Sequence, residues 1–447
     1  MRSRLGQRAV VIGAGIGGLS AAGALAPYFE NIVVLDRDEL PSVATARAGT
    51  PQDRHAHTLL GGGLQALEEL FPGIMKDLAD AGAVSVNVFR DLQYERPVVG
   101  VLPRRDCGVS LLTASRPLIE GVLRQRTASI ENVTLRTQCR ATEIVPDAMG
   151  PSVKFVEPAN GAAAITADLV IDASGRGVLT LALLDALGWE RPPETVVGVD
   201  IGYTTVRLPQ PAATGSDWKL LYTMPDPPAG VRGGLLTPIE DGYWLATLAA
   251  YGAAEHPQTW DDFLATCRQL PTQSIYEAIR DLQPVDGLKH FVFDDSRWRH
   301  FEQLAKLPHG VLPVGDSLCR FNPVYGQGMS VAALQAKLLR DTLERVATTR
   351  DPIGALQMQF MAEVAALLQA PWGLGVNADF AFPGTRGQRP ERYEEGRQFE
   401  AALFRAAVAD PVVQTAFSDV VQLIKPIDLL QDPDIQRRIE ACAEGAT

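Results

Sequence analysis

Three glycines near the start of the chain have the spacing of a nucleotide-binding turn. Gly13, Gly15 and Gly18 lie between an apolar run, RAVVI, and a small-residue segment, LSAAGALA. In such a unit the first glycine makes the turn, the second admits a pyrophosphate, and the third lets helix and strand pack closely. The helix N-terminus offers free N–H groups to the phosphates. Asp36 ends the next apolar run and is placed to accept hydrogen bonds from a ribose.

That unit alone does not separate FAD from NAD, but a second turn between residues 310 and 336 does. The run GVLPV ends in Gly315 and Asp316, and Gly326 and Gly328 open a helix of small residues. Asp316 is placed to accept a bond from a ribityl hydroxyl, and the later glycines allow a flat ring to approach the backbone. The helix N-terminus would stabilise an anionic reduced flavin. NAD needs no such second site, so the two turns indicate FAD.

The apolar pattern predicts the elements that position these turns. Continuous apolar runs at RAVVI, NIVVLD, ADLVIDASG and GVLPVGD indicate buried parallel strands. Alternating segments between residues 190 and 285 indicate an antiparallel sheet, and a helix is predicted from Thr58 to Phe71. The expected fold is α/β, with three parts. They are a discontinuous Rossmann-like FAD-binding domain (1–85, 108–182 and 286–345), an inserted antiparallel β-sheet substrate domain (86–107 and 183–285) and a C-terminal helical region (346–447).

The composition is that of a globular protein and argues against several functions. Forty-six per cent of the 447 residues are hydrophobic, and the net charge of −12 disfavours nucleic acid or an anionic membrane as the main partner. Five scattered cysteines without a C-x-x-C pair disfavour a zinc ribbon or a disulfide framework and suit a reducing cytoplasm. No apolar stretch is long enough for a membrane-spanning helix, and the N-terminal segment is typical of a buried strand rather than a signal peptide.

The motifs GAGIGG and VGDSLCRFNPVYGQGMS resemble the first and third fingerprints of the class A flavoprotein monooxygenases, which have the para-hydroxybenzoate-hydroxylase fold. Segments 47–73, 232–252 and 321–336 resemble the bacterial branch that includes polyether and polyketide epoxidases. The resemblance spans residues 8 to 345. It implies an FAD-dependent monooxygenase that activates O2 as a flavin C4a-hydroperoxide. One oxygen atom would enter an apolar polyketide or terpenoid by epoxidation or hydroxylation.

The resemblance also implies roles for individual residues. Arg116 matches an arginine that contacts the ribityl–phosphate region of FAD, and Arg47 is expected to reach the pyrophosphate. The loop with His55 and His57 would pass beside the isoalloxazine ring or the substrate, and without a partner cysteine or acid cluster these histidines predict no metal site. Pro323, Gly326 and Gly328 are expected to face the flavin, and no residue is predicted to act as a general base. Further candidates are Arg37 and Met329 for the cofactor, and Tyr243 and Trp244 for the substrate.

The middle motif departs from the family pattern and leaves the electron donor open. It is Asp172-Ala173-Ser174-Gly175-Arg176 instead of Asp-Gly, and in the family this segment contacts both FAD and the nicotinamide. NADPH or NADH is the expected donor, directly or through a separate flavin reductase. Three alternatives stay open: an isoprenoid double-bond reductase or dehydrogenase, a flavin halogenase, whose W-x-W-x-I-P motif is missing here, and a non-catalytic flavin-binding protein.

Overall fold

The computed structural model describes residues 4–96, 100–147, 149–158, 160–211, 216–252 and 254–444. The first part of the chain contains β1 (Gly6–Ile12), α1 (Ile16–Leu25), β2 (Phe29–Leu35), β3 (Thr58–Leu59), α2 (Gly61–Leu70), α3 (Ile74–Asp80), β4 (Val84–Asn87), β5 (Leu92–Arg96), β6 (Gly100–Val101), β7 (Ser110–Thr113) and α4 (Arg116–Ala128).

Strands dominate the middle of the chain: β8 (Val133–Arg136), β9 (Arg140–Val145), β10 (Ser152–Glu157), β11 (Gly161–Thr166), β12 (Leu169–Asp172), α5 (Val178–Ala186), β13 (Glu194–Pro209), β14 (Leu220–Thr223), β15 (Arg232–Ile239), β16 (Tyr243–Tyr251), α6 (Trp260–Cys267), α7 (Ser274–Ile279), β17 (Lys289–Arg299), β18 (Val311–Pro313) and β19 (Cys319–Arg320). Helices follow: α8 (Gln327–Val346), α9 (Pro352–Asp379), α10 (Tyr393–Ala409), α11 (Pro411–Val421) and α12 (Pro433–Glu444).

A five-stranded parallel sheet in the order β18-β12-β1-β2-β8 is the base of the nucleotide fold. Its strands are apolar on both faces because α1, α2 and α8 cover one face, and α5 with the small sheet β9–β11 covers the other. Ile12 pairs with Asp172, and Asp172 with Pro313, so the carboxyl ends of β1, β12 and β18 lie side by side. The predicted Rossmann-like unit is confirmed, and this edge carries both glycine turns.

The helix predicted from Thr58 begins three residues later, so that part of the prediction was wrong. Thr58 and Leu59 pair with β7 as a short strand, and α2 starts at Gly61. Their backbone groups bond to a neighbouring strand and are not available to a helix. The predicted end near Phe71 agrees with the last residue of α2, Leu70.

An eight-stranded sheet, in the order β19-β17-β13-β16-β15-β14-β5-β6, is antiparallel except for the β14–β5 pair. Strands β17 and β19 belong to it, so the sheet extends past the boundary at residue 285 that the sequence suggested. Helices α6 and α7 cover one face. The other face lies toward the glycine turns and the C-terminal helices.

The C-terminal helices are packed onto the rest of the fold. Helix α9 runs against α8, while α10 and α11 cover β5 and β14 through residues such as Phe404 and Val413. Residues 380–392 connect α9 to α10. Among the helices of the described ranges, none combines the length and apolarity needed to cross a bilayer.

Candidate functional site

The first glycine turn has the shape that its sequence predicts. Gly13 has a φ of +102°, and a β-carbon there would lie 2.6 Å from the carbonyl oxygen of Ala173. A β-carbon on Gly18 would overlap with the carbonyl of Gly13, so glycine is what lets α1 pack this closely. At Gly15 the nearest atom to such a carbon is Nη2 of Arg47, 3.9 Å away. The Gly15 backbone, at the N-terminus of α1, is therefore open to a ligand.

Asp36 lies buried at the end of β2, beside this turn. Its Oδ2 accepts the N–H of Ala14 at 2.6 Å, and its Oδ1 accepts the N–H of Asp38 at 2.9 Å. Because a carboxylate has about four acceptor positions, these bonds leave room for a ribose hydroxyl. The neighbouring Arg37 is exposed and approaches Asp38 only to 3.9 Å. Asp36 thus lies at the turn, whereas Arg37 lies at the surface.

Arg47 is held next to the turn by acidic side chains. Its Nε donates to Glu120 at 2.6 Å, and its Nη1 donates to Asp38 at 2.8 Å. Burial alone would lower the pKa of Arg47, but Glu120, Asp36 and Asp38 raise it well above its ordinary value. The fixed guanidinium places positive charge beside Gly15, where the sequence predicts a pyrophosphate.

Arg116 opens α4, and its side chain is only 13% exposed. Its ion pair with Glu120 is loose, at 3.7 Å, and its buried Nε has no hydrogen-bond partner among the described residues. Burial lowers the pKa of Arg116, whereas Glu120 and Asp316 raise it. A buried cationic donor without an acceptor is costly. An anionic group such as a phosphate would supply that acceptor.

The late glycine turn meets the first one. A β-carbon on Gly17 would lie 3.8 Å from Cα of Gly315. Asp316 follows in a short 3-10 helix after β18, and its side chain is exposed. Loss of solvent around the carboxylate nevertheless raises the pKa of Asp316, whereas the positive charge of Arg116 lowers it. A carboxylate that is accessible and yet surrounded by protein lines an internal cleft. Because Arg116 affects the pKa of Asp316, the two side chains lie in the same region.

The Pro323–Gly328 loop leads into α8 and leaves open space at its end. Gly326 has a φ of +67°, and a β-carbon on Gly328 would have no atom within 4 Å. Met329 buries its side chain in the core, so its backbone N–H is the group it offers to a ligand. The first N–H groups of a helix have no intrahelical acceptor and carry partial positive charge. This surface fits a flat, electron-rich ring, and Pro323 is exposed beside it.

The two predicted histidines lie on different sides of the site. Nδ1 of His55 is 2.8 Å from Oγ1 of Thr205 in the large sheet, and its ring lies near Tyr203 and Phe291. Burial and then His290 lower the pKa of His55 to about 4. Among the described residues there is no group of three potential ligands for a metal.

The ring of His57 has different neighbours from that of His55. Its Nδ1 is 2.8 Å from the backbone oxygen of His55. Burial, followed by the positive charge of Arg116, lowers the pKa of His57 to about 3. His57 therefore lies on the Arg116 side of the site, His55 lies on the sheet side, and both rings are neutral near pH 7.

The predicted substrate contact of Trp244 does not agree with the structure. Its side chain is 1% exposed and packs with Phe263 and Trp218 under α6 and α7, on the face of the sheet opposite to Thr247. Side chains alternate between the faces of a strand, so Trp244 does not reach the site. Tyr243 is partly exposed at the start of β16, with the guanidinium of Arg207 5.0 Å from its ring, and lies four residues along the strand from Thr247.

A polar cluster that the sequence did not suggest lies behind the Pro323–Gly328 loop. Asp379, the last residue of α9, is 1% exposed. Its Oδ1 accepts hydrogen bonds from Tyr325 at 2.7 Å, Asn322 at 2.8 Å and Tyr251 at 3.3 Å. Burial raises the pKa of Asp379 to about 6, although these three donors lower it. An isolated aspartate at the end of an apolar helix carries no motif that could have revealed it.

The altered middle motif has a structural use. Asp172 is fully buried, and it accepts hydrogen bonds from the hydroxyls of Ser174 and Thr180, each at 2.6 Å. Ser317 of the late turn also approaches Asp172, at 3.4 Å. Asp172 therefore ties β12 to α5 and to the late turn. Arg176 is exposed at the rim of this motif.

The site residues meet the requirements of FAD. The backbone is open at Gly15 and at Gly328, and the unpaired Nε of Arg116 offers a donor to a phosphate oxygen. Asp36 follows β2 and Asp316 follows β18, at the same edge of the parallel sheet with β12 and β1 between them, and each can accept bonds from sugar or ribityl hydroxyls. A dinucleotide with a large ring fits this arrangement.

Comparisons with known proteins agree with this fit. The model of the FAD binding domain family matches residues 7–354. Protein Rv3254 of Mycobacterium tuberculosis (strain ATCC 25618 / H37Rv) is 31% identical over 436 residues, covering 93% of this chain and 90% of that protein.

Two solved structures have a similar fold. The p-nitrophenol 4-monooxygenase PnpA of Pseudomonas putida DLL-E4 has a TM-score of 0.63 at 16% identity, covering 95% of this chain and 100% of that one. The flavin-dependent halogenase CmlS has a TM-score of 0.63 at 13% identity, covering 90% and 72%. At these identities the likeness shows the fold alone. The family match includes both glycine turns, and the chain belongs to the FAD binding domain family.

Proposed function

We propose that this protein transfers one oxygen atom of O2 to an apolar organic substrate held between its FAD and the large sheet. The observation that supports the proposal most is the contact between the two glycine turns, with a β-carbon on Gly17 only 3.8 Å from Cα of Gly315. In this proposal the first turn binds the pyrophosphate and the N-terminus of α8 faces the ring, and the contact supports one site for both. When bound and reduced, FAD supplies the oxygen-activating chemistry.

The residues of the chain have the tasks of binding and orienting. In this proposal the N-terminus of α1 and Arg47 hold the pyrophosphate, Asp36 holds the ribose, and Arg116 with Asp316 holds the ribityl–phosphate region. The N–H groups of Gly328 and Met329 face the ring and stabilise negative charge on it. No protein nucleophile is needed.

The sheet side of the site is suited to an apolar substrate. Near His55 the wall carries Tyr203 and Phe291, and its polar groups, Thr205 and Thr247, are hydrogen-bonded to each other at 2.8 Å. The low pKa of His55 keeps its ring uncharged at neutral pH. A wall without charge favours a neutral, hydrophobic molecule over an anion and helps exclude water. Polyketides and terpenoids have this chemistry, and both epoxidation and hydroxylation stay within the proposal.

The electron donor and the cellular compartment are inferred from the sequence. Either NADPH or NADH delivers electrons directly, or a separate flavin reductase does so, because the middle motif departs from the family pattern. The five cysteines are free thiols, which supports a reducing compartment such as the cytoplasm.

Rapid mixing with isotopic oxygen tests the proposal. Anaerobically reduced holoprotein is mixed with ¹⁸O2 and a panel of terpenoid and aromatic polyketide compounds, and the products are analysed by mass spectrometry. The expected product carries one ¹⁸O atom, and the oxidised flavin spectrum returns through a transient absorbance. The Gly15→Val variant, with the pyrophosphate turn blocked, is the matched inactive control.

The alternatives give different results in the same experiment. Reduction of an alkene by the reduced protein without O2 identifies a reductase or dehydrogenase. With bromide or chloride salt added to the same mixture, incorporation of the halogen in place of ¹⁸O identifies a halogenase, whose fold this chain shares. Bound flavin that reacts with none of the panel and gives only monophasic reoxidation contradicts oxygen transfer.

A further inference from the structure

Helix α9, in the C-terminal helical region, reaches the loop on which a flavin ring would lie. It begins at Pro352 and ends at Asp379, whose carboxylate is buried between the loop and the large sheet. A small cavity of about 10 Å³ lies beside it and is lined by Asn322, Gln327 and Trp372, among others. Oε1 of Gln327, the first residue of α8, is buried there without a hydrogen-bond partner among the described residues. Residues remote in sequence thus form the underside of the Pro323–Gly328 loop.

One oxygen of Asp379 holds the loop at two points. Asn322 donates to it from one side of Pro323, at 2.8 Å, and Tyr325 donates from the other side, at 2.7 Å. Asn322 also uses its Oδ1 to accept the N–H of Val324 at 3.2 Å. The loop backbone therefore depends on the side chain of Asn322, which in turn is oriented by Asp379.

The same cluster continues to the substrate side. Tyr203 donates its hydroxyl to Oδ1 of Asn322 at 3.1 Å, and its ring packs near His55. Tyr251 donates to Asp379 at 3.3 Å from the neighbouring strand. Asp379 is thereby connected both to the loop and to the wall of the proposed substrate pocket.

We propose that Asp379 is a positioning residue, which holds Asn322 and Tyr325 and so fixes the Pro323–Gly328 loop against the flavin ring. This inference rests on the proposed function in one respect, the placement of the ring beside that loop. It assigns a role in the flavin site to the C-terminal helical region, outside the segment matched by the FAD binding domain family.

Protonation of Asp379 would loosen the loop. Hydrogen bonds to an ionised carboxylate are roughly twice as strong as those between neutral groups. The titratable groups that face Asp379 are the phenols of Tyr203, Tyr251 and Tyr325, and burial raises the pKa of each well above its ordinary value. These phenols stay neutral below pH 10, and among the described residues no cation forms an ion pair with Asp379. A change in the cluster near pH 6 would therefore come from this carboxyl group.

The test follows the visible spectrum of bound FAD between pH 4.5 and 8 in three holoproteins. The wild type should show a spectral shift with a midpoint near pH 6. Asp379→Asn keeps an acceptor oxygen but cannot ionise, so its spectrum should stay constant. Glu363→Gln is the matched control, because Glu363 lies on the same helix and forms a half-exposed pair with Arg345. It should behave as the wild type does.

A second variant keeps the test decisive if Asp379→Asn folds poorly. Tyr325→Phe removes one donor to the carboxylate, so the midpoint should move upward by about one pH unit. A wild-type spectrum without a shift in this range overturns the inference, and so does a midpoint that persists in Asp379→Asn. If the spectral shifts occur as expected while no ¹⁸O reaches any product, the positioning role stands and oxygen transfer is refuted.

Discussion

Gly17 and Gly315 lie against each other, although the first belongs to the N-terminal turn and the second to the late turn: a β-carbon on Gly17 would be 3.8 Å from Cα of Gly315 and 3.6 Å from Cβ of Ala332. The parallel sheet causes this contact, because the carboxyl ends of β1 and β18 flank that of β12. Two helix N-termini, of α1 and α8, consequently point into one cleft, and each offers partial positive charge.

Replacing Arg116 with methionine should separate cofactor binding from folding. Methionine fills similar space without the charge, and Glu120 keeps its contacts with Arg47 and Arg124. Since the Nε of Arg116 lacks a partner in the protein, the melting temperature without FAD should stay the same or rise. The Kd for FAD, measured by titration, should increase by about 10- to 100-fold, which corresponds to one lost charge-assisted hydrogen bond. The exposed Arg345→Met serves as control, and equal Kd values for both variants would refute this role of Arg116.

Replacing Glu120 with glutamine should destabilise the fold. The carboxylate of Glu120 is buried among Arg47, Arg116 and Arg124, and the change leaves the three cations with less compensation. Removing one partner of a buried ionic cluster costs about 3 kcal/mol in the free energy of unfolding. Urea denaturation measures the loss, with Glu363→Gln as the exposed counterpart. A loss below about 1 kcal/mol would mean that the cluster is well hydrated.

His55 should make the protein less stable as the pH falls. Its pKa is about 4 in the folded chain and 6.5 in the unfolded one, so only the unfolded chain binds the proton between these values. By linkage, up to about 3 kcal/mol of stability present at pH 7 is lost on acidification to pH 4. His55→Gln should remove this part of the pH dependence, as seen in urea midpoints at each pH. The exposed His309→Gln should not, and parallel pH profiles for wild type and His55→Gln would contradict the burial argument.

The glycine turns were predictable because their signals are local. The spacing of Gly13, Gly15 and Gly18 fixes a turn between a strand and a helix that are adjacent in sequence, and Gly315 follows its own apolar strand in the same way.

The prediction that Trp244 contacts the substrate failed for a physical reason. All of β16 after Tyr243 is buried on both faces, so its sequence has no polar alternation from which the facing side could be inferred.

The contributions of the C-terminal region could not be predicted, since they depend on long-range contacts. Asp379 gains its partners, such as Asn322, only when α9 packs behind the Pro323–Gly328 loop. Likewise, a β-carbon on Gly62 would overlap with the carbonyl of Leu423, so the glycine run at the start of α2 makes room for a distant backbone. Neither contact leaves a periodic or spaced signal in the sequence.

The most direct test of the account is a titration of the protein with FAD, followed by flavin fluorescence, in wild type, Gly15→Val, Gly328→Val and the exposed control Gly287→Val. A β-carbon at Gly328 or Gly287 has no atom within 4 Å and one at Gly15 meets only Nη2 of Arg47 at 3.9 Å, so we expect all four proteins to fold alike. We expect one FAD per wild-type and Gly287→Val chain, and a Kd raised by at least about 100-fold, near 2.7 kcal/mol, in each of the other two variants. A wild type that binds no FAD, or Gly15 and Gly328 variants that bind it as the control does, would contradict the claim that both turns hold one cofactor.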